Sequence, residues 1–257
     1  MSYVLVEREG PAVHLRLTRG ERGNAIDMAL ATELEAGVQQ VTGLAEAADV
    51  CCVVLRTDGR NFCVGGDLRD FPADPDEVTP HLERMAAQVH RALAALWALP
   101  VPVVVRLQGA AAGAGVGLAL AGDLVVAGRS ARLALAYTAV GLSPDNGVSW
   151  LLPRVVGARR ALDLVLTGRT LSAEQGEDWG LVSRVAEDDA LDDAVAAVVA
   201  DLATRSPAAL RASKRLLRQA AGADLVDQLA DEATSIAALA AGPDAVQARE
   251  GFFAQRR

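Results

Sequence analysis

The chain has 257 residues, of which 51% are hydrophobic and 23% are charged, and its formal net charge is −8. This composition is typical of a globular protein with a substantial core and not of a disordered chain. The acidic balance argues against a nucleic-acid partner, because such a partner requires a basic face to offset phosphate charge. Any anionic ligand must therefore be bound by local cations or by main-chain N–H groups.

The three cysteines are Cys51, Cys52 and Cys63, an odd number with two adjacent in an apolar run. This pattern predicts reduced core thiols and not a disulfide framework. The histidines are scattered and form no metal-ligand spacing with the cysteines, so no metal site is expected. The N-terminus lacks the order of a secretory signal, and no uncharged stretch reaches the roughly 20 residues that span a bilayer. We expect a cytoplasmic protein without a membrane partner.

Strand and helix patterns alternate along the chain. Val4–Val6 and Val13–Leu17 predict paired strands, and Val50–Leu55 is an apolar run typical of a strand buried on both faces. Asp27 is a predicted N-cap for a helix, whereas three prolines in the segment 71–80 predict a loop. The other predicted strands are 103–105, 124–126 and 180–185, and the predicted helices are 27–41, 81–99, 148–155, 158–167, 173–179, 190–204, 207–221 and 224–241. This alternation predicts an α/β fold, with a core over 1–200 and a C-terminal helical region over 201–257.

Two segments rich in glycine and alanine follow apolar strands. Asn61–Leu68 comes after the Val50–Leu55 strand, and Gln108–Leu118 comes after the strand 103–105. Small residues let the backbone approach a ligand closely, and those at a helix start direct N–H groups and the positive end of the helix dipole towards an anion. Either segment alone is also compatible with an ordinary turn or with close helix packing. A dinucleotide-binding fingerprint is nearly present in the second segment, but its spacing and context are wrong.

Together these segments resemble the crotonase (enoyl-CoA hydratase/isomerase) superfamily, nearest its 1,2-epoxyphenylacetyl-CoA isomerase-like and Δ3,Δ2-enoyl-CoA isomerase branch. The matching motifs are Phe62-Cys63-x-Gly65-Gly66-Asp67-Leu68, Gly109-x-Ala111-x-Gly113-x-Gly115, Gly141-Leu142-x-Pro144 and Trp179-Gly180-Leu181-Val182, so the resemblance covers nearly the whole chain. It implies a spiral of ββα turns with a C-terminal helical trimerisation region. It also implies an acyl-CoA substrate, no separate cofactor, and a homotrimer or a dimer of trimers.

The resemblance implies that the main-chain N–H groups of Gly66 and Ala114 form an oxyanion hole. Removing a proton next to a thioester places negative charge on its carbonyl oxygen, and each preorganised donor can stabilise that charge by roughly 3–4 kcal/mol. The positions implied for CoA binding are Arg22, Ala25, Ile26, Val64 and Gly65, with Lys214 and Phe252 from the C-terminal helices at the nucleotide end.

The acid and base positions depart from the hydratase pattern. The two glutamates of a typical enoyl-CoA hydratase align with Gly117 and Tyr137, and neither is a carboxylate. Asp145 is a carboxylate in the matching loop, although Pro144-Asp145-Asn146-Gly147 is also a favourable turn sequence. Members of the isomerase branch carry an acid immediately after this proline.

A single carboxylate suits isomerisation, because one group can remove a proton and return it elsewhere on the dienolate. We therefore predict an enoyl-CoA isomerase with Asp145 as the shuttling base and Tyr137 as a pocket wall or hydroxyl donor. The alternatives are an enoyl-CoA hydratase without the usual glutamate pair and a non-catalytic CoA-binding oligomer.

Overall fold

The computed structural model describes residues 2–47 and 49–254, with side chains at 2–47, 49–247 and 249. The strands of this part are β1 (Val4–Glu9), β2 (Ala12–Leu17), β3 (Cys52–Thr57), β4 (Val103–Leu107), β5 (Ala110–Ala112), β6 (Leu124–Gly128), β7 (Arg132–Ala134), β8 (Thr170–Ser172) and β9 (Arg184–Ala186). The helices are α1 (Met28–Ala45), α2 (Pro75–Ala98), α3 (Ala114–Leu120), α4 (Val148–Val156), α5 (Ala158–Thr167), α6 (Ala173–Asp178), α7 (Leu191–Ala203), α8 (Pro207–Gln219), α9 (Leu225–Ala240) and α10 (Pro243–Ala254). The predicted α/β class is confirmed.

The strands form two sheets. The larger one has the order β1-β2-β3-β4-β6-β9, with an antiparallel β1–β2 hairpin and parallel neighbours from β2 onwards. The smaller sheet has the order β5-β7-β8. In two successive turns, a strand of the larger sheet is followed by a strand of the smaller sheet and then by a helix: β4-β5-α3 and β6-β7-α4. This repeated path is a ββα spiral.

Helices cover both faces of the larger sheet. Leu30, Leu34 and Val38 share one face of α1 and are buried against the hairpin side of the sheet, because residues four apart lie on the same side of a helix. Helix α7 packs on β4 and β6 from the other face, where Val195 and Val198 are buried. The continuous apolar run at β3 is explained by this double coverage. All three cysteines are free thiols and are buried, as predicted.

Two local predictions are wrong: the start of α2, and the last strand, β9, which is Arg184–Ala186 and not 180–185. Three short strands were not predicted. Helix α2 begins at Pro75 and not at His81, because Asp74 caps it by accepting a hydrogen bond from the Asp76 N–H at 3.0 Å. Pro75 occupies the first turn, where its missing N–H is not needed, and Pro80 lies within the helix. The strands β5, β7 and β8 have three residues each, which is too short to give a recognisable alternation.

The C-terminal helices are attached to the core mainly through basic side chains of α8. Arg211 donates hydrogen bonds to the carbonyls of Ala45 and Ala47, both at 2.9 Å. Arg218 donates to Asp123 at 2.6 Å and lies over the ring of Trp97. Large apolar side chains nevertheless stay exposed on this region, among them Leu217, Leu225, Val226, Leu229 and Ile236. Within 2–47 and 49–254, no helix combines the length and the apolar character that crossing a membrane requires.

Candidate active site

A cavity of about 350 Å³ lies between the loop after β3, the start of α3 and the segment that precedes α4. Most of its wall is apolar, and Asp145 is its one charged side chain among the described residues. The lining residues are Val64, Gly65, Gly66, Leu68, Phe71, Leu82, Met85, Ala86, Ala112, Gly113, Ala114, Ala136, Tyr137, Val140, Leu142, Ser143 and Asp145. The cavity therefore suits an apolar group that meets one carboxylate and a few main-chain donors.

Main-chain hydrogen bonds join the two glycine-rich segments. Cys63 donates its N–H to the Ala110 carbonyl at 3.1 Å and accepts from the Ala112 N–H at 2.8 Å, so the loop after β3 extends the smaller sheet by one bridge. Gly65 has φ +90, and a Cβ there would lie 2.9 Å from the Ala112 carbonyl oxygen. Glycine is needed at 65 for both the conformation and the close approach.

The residues 64–66 and 112–114 form one wall of the cavity, the amide wall. In the described part of the chain, the N–H groups of Gly66 and Ala114 on this wall have no acceptor. The Gly66 N–H is unpaired because the bridge to Ile26 uses the Gly65 carbonyl and the Asp67 N–H instead. The Ala114 N–H is unpaired because Ala114 is the first residue of α3. Both residues line the cavity.

A second part of the cavity lining carries the carboxylate. The Tyr137 hydroxyl donates to Asp145 Oδ1 at 2.7 Å, and both residues line the cavity. Burial, reinforced by the Asp145 charge, raises the pKa of Tyr137 above its usual value, so the phenol keeps its proton. Burial likewise raises the pKa of Cys63 to about 12, which leaves a neutral thiol behind the amide wall. Asp145 itself is an exposed residue.

Position 117 is occupied by glycine for a steric reason. A Cβ on Gly117 would lie 2.1 Å from the Asn146 carbonyl oxygen, so the loop that carries Asp145 fills the space that a glutamate side chain would enter. Asn146 and His90 were not singled out from the sequence, yet they hold this loop. Their contact spans 56 positions in the chain, and no local pattern in the sequence indicates it.

The residues implied for CoA binding fall into two groups. Val64 and Gly65 line the cavity. Ala25 and Ile26 lie behind it with their main-chain groups engaged: Ile26 donates to the Gly65 carbonyl at 2.8 Å, and the Ala25 carbonyl accepts from Arg19 at 3.2 Å. Arg22 is half-exposed and its guanidinium lies 3.7 Å from Asp67.

Lys214 does not line the cavity. The ammonium of Lys214 is buried, donates to the Val101 carbonyl at 2.8 Å and pairs with Asp123 at 2.7 Å. Burial lowers the pKa of Lys214, and the Asp123 charge opposes that shift. Lys214 therefore attaches α8 to the core, which corrects the expectation that it binds a nucleotide. Phe252 lies outside the described side chains.

Comparisons with known proteins agree with this architecture. A family model for enoyl-CoA hydratase/isomerase matches residues 7–257. The 1,2-epoxyphenylacetyl-CoA isomerase of Escherichia coli (strain K12) is 37% identical over 231 residues, which cover 89% of this chain and 87% of that protein. The 2,3-dehydroadipyl-CoA hydratase of the same organism is 32% identical over 260 residues, which cover 100% of this chain and 97% of that protein.

Solved structures give the same fold. The enoyl-CoA hydratase of Mycobacterium smegmatis has a TM-score of 0.90 at 32% identity, with 99% of this chain and 97% of that chain covered. A structure from Thermobifida fusca in complex with CoA has a TM-score of 0.82 at 33% identity, with 93% of each chain covered. The chain belongs to the enoyl-CoA hydratase/isomerase family and has the crotonase fold. It is an enzyme of that acyl-CoA superfamily.

Proposed function

We propose that the chain is an enoyl-CoA isomerase that moves a double bond along an acyl-CoA thioester. One observation supports this most directly: Asp145 is the single carboxylate among the described lining residues, and the Gly66 and Ala114 N–H groups on the amide wall have no acceptor in the described part of the chain. The thioester carbonyl oxygen accepts hydrogen bonds from both N–H groups. The Asp145 carboxylate removes a proton from C2 of a 3-enoyl group, and the negative charge spreads over the dienolate to the carbonyl oxygen.

The proton then returns from Asp145 to C4, and the product is the conjugated 2-enoyl thioester. The carboxylate is regenerated in this step, so neither water nor a second acid is consumed. Tyr137 donates its hydroxyl hydrogen to Asp145 Oδ1 and leaves the second carboxylate oxygen for the substrate. This arrangement supports a one-base shuttle, because the phenol orients the carboxylate and keeps its own proton.

The acyl group of the proposed substrate is apolar. Leu68, Phe71, Leu82, Met85 and Val140 line the cavity, and no lysine, arginine or histidine is among the described lining residues. A substrate with a carboxylate at the far end of its acyl chain would have to lose water there without gaining a cation, which costs several kcal/mol. We therefore expect a strong preference for a plain aliphatic or aromatic acyl chain over a dicarboxylic one of equal length.

The experiment compares a 3-enoyl-CoA, its dicarboxylic counterpart and crotonyl-CoA as substrates of the wild-type protein and of Asp145→Asn. We expect conversion of the 3-enoyl-CoA to the 2-enoyl-CoA and little hydration of crotonyl-CoA. Asp145→Asn should lower kcat for isomerisation by about 10³-fold or more, since a well-placed base contributes 10²–10⁴-fold. Efficient hydration of crotonyl-CoA that survives Asp145→Asn would show that the isomerase proposal is wrong.

Hydration that depends on Asp145 is the second candidate activity. The observation that favours it is the pair formed by Tyr137 and Asp145, since a carboxylate and a hydroxyl 2.7 Å apart can together orient one water molecule. The crotonyl-CoA arm of the experiment decides between the two reactions. If hydration exceeds isomerisation and both vanish in Asp145→Asn, the same residues serve water addition instead.

We also propose that the chain assembles through its C-terminal helices as a homotrimer or a dimer of trimers. The exposed apolar side chains of α8 and α9, which include Leu217, Leu225 and Ile236, support an interface there. Light scattering coupled to size exclusion measures the assembly directly. A monomer at micromolar concentration would contradict the proposal.

A further inference from the structure

Asn146 follows the proposed base and is held in an unusual conformation. It is only 1% exposed, and its φ is +45. Asparagine tolerates this left-handed region better than most residues, but glycine adopts it at still lower cost. Asn146 Oδ1 is buried without a hydrogen-bond partner, and such an atom costs about 1–3 kcal/mol of stability. A residue selected only to make a turn here would be glycine, so the amide side chain has another role.

Three contacts of Asn146 tie the Asp145 loop to its surroundings. Its Nδ2 donates to the Ala114 carbonyl at 2.7 Å, and its main-chain N–H donates to His90 Nε2 on α2 at 3.2 Å. Its own carbonyl lies over Gly117, where no Cβ would fit. One residue is therefore bonded to the first residue of α3 and to α2 while it carries Asp145 on its N-terminal side.

We propose that Asn146 is a positioning residue that holds the Asp145 carboxylate in register with the Ala114 N–H group. The inference rests on the proposed function, because it assigns the Ala114 amide to the carbonyl oxygen and Asp145 to the proton. These two groups act on atoms of one substrate, so their separation must be fixed. A displacement of about 1 Å between such groups can lower the rate by about 10²-fold.

The hydrogen bond from Asn146 Nδ2 joins the Asp145 loop directly to the first residue of α3. It links the residue next to the base with the residue whose N–H donates to the oxyanion. Without it, Asp145 would still be bonded to Tyr137, but Tyr137 belongs to the same wall. Loss of the Asn146 side chain should therefore loosen the contact between the Asp145 loop and the start of α3.

Asn146→Gly removes this hydrogen bond without straining the backbone, since glycine accepts φ +45. We expect kcat for the activity of the wild-type protein to fall by about 10–100-fold, with KM for the acyl-CoA changed by less than about 2-fold and Tm nearly unchanged. Ser183→Ala is the matched control: it also removes one bond between a side chain and the main chain, to the Val125 N–H at 3.0 Å, outside the cavity. That control should keep kcat.

A half-reaction separates positioning from overall folding. Exchange of the C2 protons of a saturated acyl-CoA with deuterium oxide needs both the Ala114 donor and Asp145, and it should slow in Asn146→Gly by the same factor as kcat. Retained exchange together with retained kcat would overturn the proposal. So would a rise in KM at constant kcat, because it would place Asn146 in substrate binding.

His90 provides a second route if Asn146→Gly does not fold. His90 is exposed, and His90→Leu removes the acceptor of the Asn146 N–H, whereas His90→Gln keeps an acceptor atom. We expect kcat to fall in His90→Leu and to recover in His90→Gln. Equal kcat in both variants and the wild type would overturn the proposal. Failure of the isomerase proposal is a different result: hydration would replace isomerisation in the wild type, while Asn146→Gly would still lower kcat.

Discussion

The two walls of the cavity use different parts of the chain. The amide wall, formed by 64–66 and 112–114, presents main-chain N–H groups, and its side chains matter mainly by being small. The carboxylate wall, formed by Tyr137, Asp145 and Asn146, acts through side chains that bond to one another and to the amide wall. Under the proposed function, the amide wall stabilises the enolate of a thioester whichever reaction follows. The choice of reaction therefore depends on the carboxylate wall.

The sharpest test of the amide wall removes the N–H group at position 114. Ala114→Pro does this, and proline is well tolerated at the first position of a helix. We expect kcat to fall by about 10²–10³-fold, the cost of losing one oxyanion donor. The measurement is kcat and KM for a 3-enoyl-CoA, with circular dichroism to verify the fold.

Ala114→Ser is the control, because it adds an atom at Cβ and keeps the N–H group. It should retain kcat within about 5-fold, well short of the loss expected for a missing donor. If Ala114→Ser and Ala114→Pro lose activity equally, the side-chain volume at 114 matters and the donor does not.

The same contrast explains what could be predicted from the sequence. The amide wall was predictable, because Gly65 and its neighbours are required by backbone geometry and leave a pattern in the sequence. Asp145 was predictable only through the family motif, since its tetrapeptide is also a common turn. Asn146 and His90 were missed because their roles depend on contacts between distant segments.

Lys214 illustrates a different kind of error, in which the sequence suggested a binding role for a residue that the fold uses for packing. A lysine on a C-terminal helix suggests a phosphate ligand. Only the fold shows that Lys214 forms an ion pair with Asp123 beneath α8. The start of α2 was misplaced for a related reason, because three prolines within ten residues outweighed the Asp74 cap. In both cases a single contact, tertiary for Lys214 and a helix cap for α2, determined the structure, and the local composition of the sequence was misleading.

A second prediction tests how tightly the walls are joined. Gly117→Ala places a Cβ against the Asn146 carbonyl, where only 2.1 Å is available. We expect a loss of about 1–3 kcal/mol in the free energy of unfolding, as for other overpacked cores, and a roughly 10-fold or greater fall in kcat as the Asp145 loop shifts. Urea unfolding and steady-state kinetics measure the two effects. Gly43→Ala is the control, because nothing lies within 4 Å of a Cβ at 43.

Gly117→Glu extends this test to the reaction itself. A glutamate at 117 restores the hydratase residue type, but its side chain must pass through the space of the Asn146 carbonyl. We expect less isomerase activity and no gain of crotonyl-CoA hydration. A gain of crotonyl-CoA hydration would mean that the Asp145 loop moves aside to admit the glutamate. The inference that the two walls are tightly packed against each other would then be wrong.

The smallest expected effect concerns the hydrogen bond within the carboxylate wall. Tyr137→Phe removes the hydroxyl that donates to Asp145 Oδ1 at 2.7 Å but keeps the ring that fills the cavity wall. We expect kcat to fall by about 10-fold, because the charge-assisted hydrogen bond that orients Asp145 is lost. This corresponds to a rise of about 1.4 kcal/mol in the activation free energy. Asp145 remains in the cavity, so the loss should be far smaller than in Asp145→Asn.

The same variant also changes the dependence of stability on pH. Burial and the Asp145 charge raise the pKa of Tyr137, so the folded chain holds the phenol proton more tightly than the unfolded chain does. The resulting stabilisation is complete below the usual tyrosine pKa of about 10 and is lost as the pH rises above it. In urea unfolding, the wild type should therefore lose stability above about pH 10 more steeply than Tyr137→Phe. Equal slopes would mean that the phenol is not buried against the carboxylate, and the carboxylate wall would then reduce to Asp145 and Asn146.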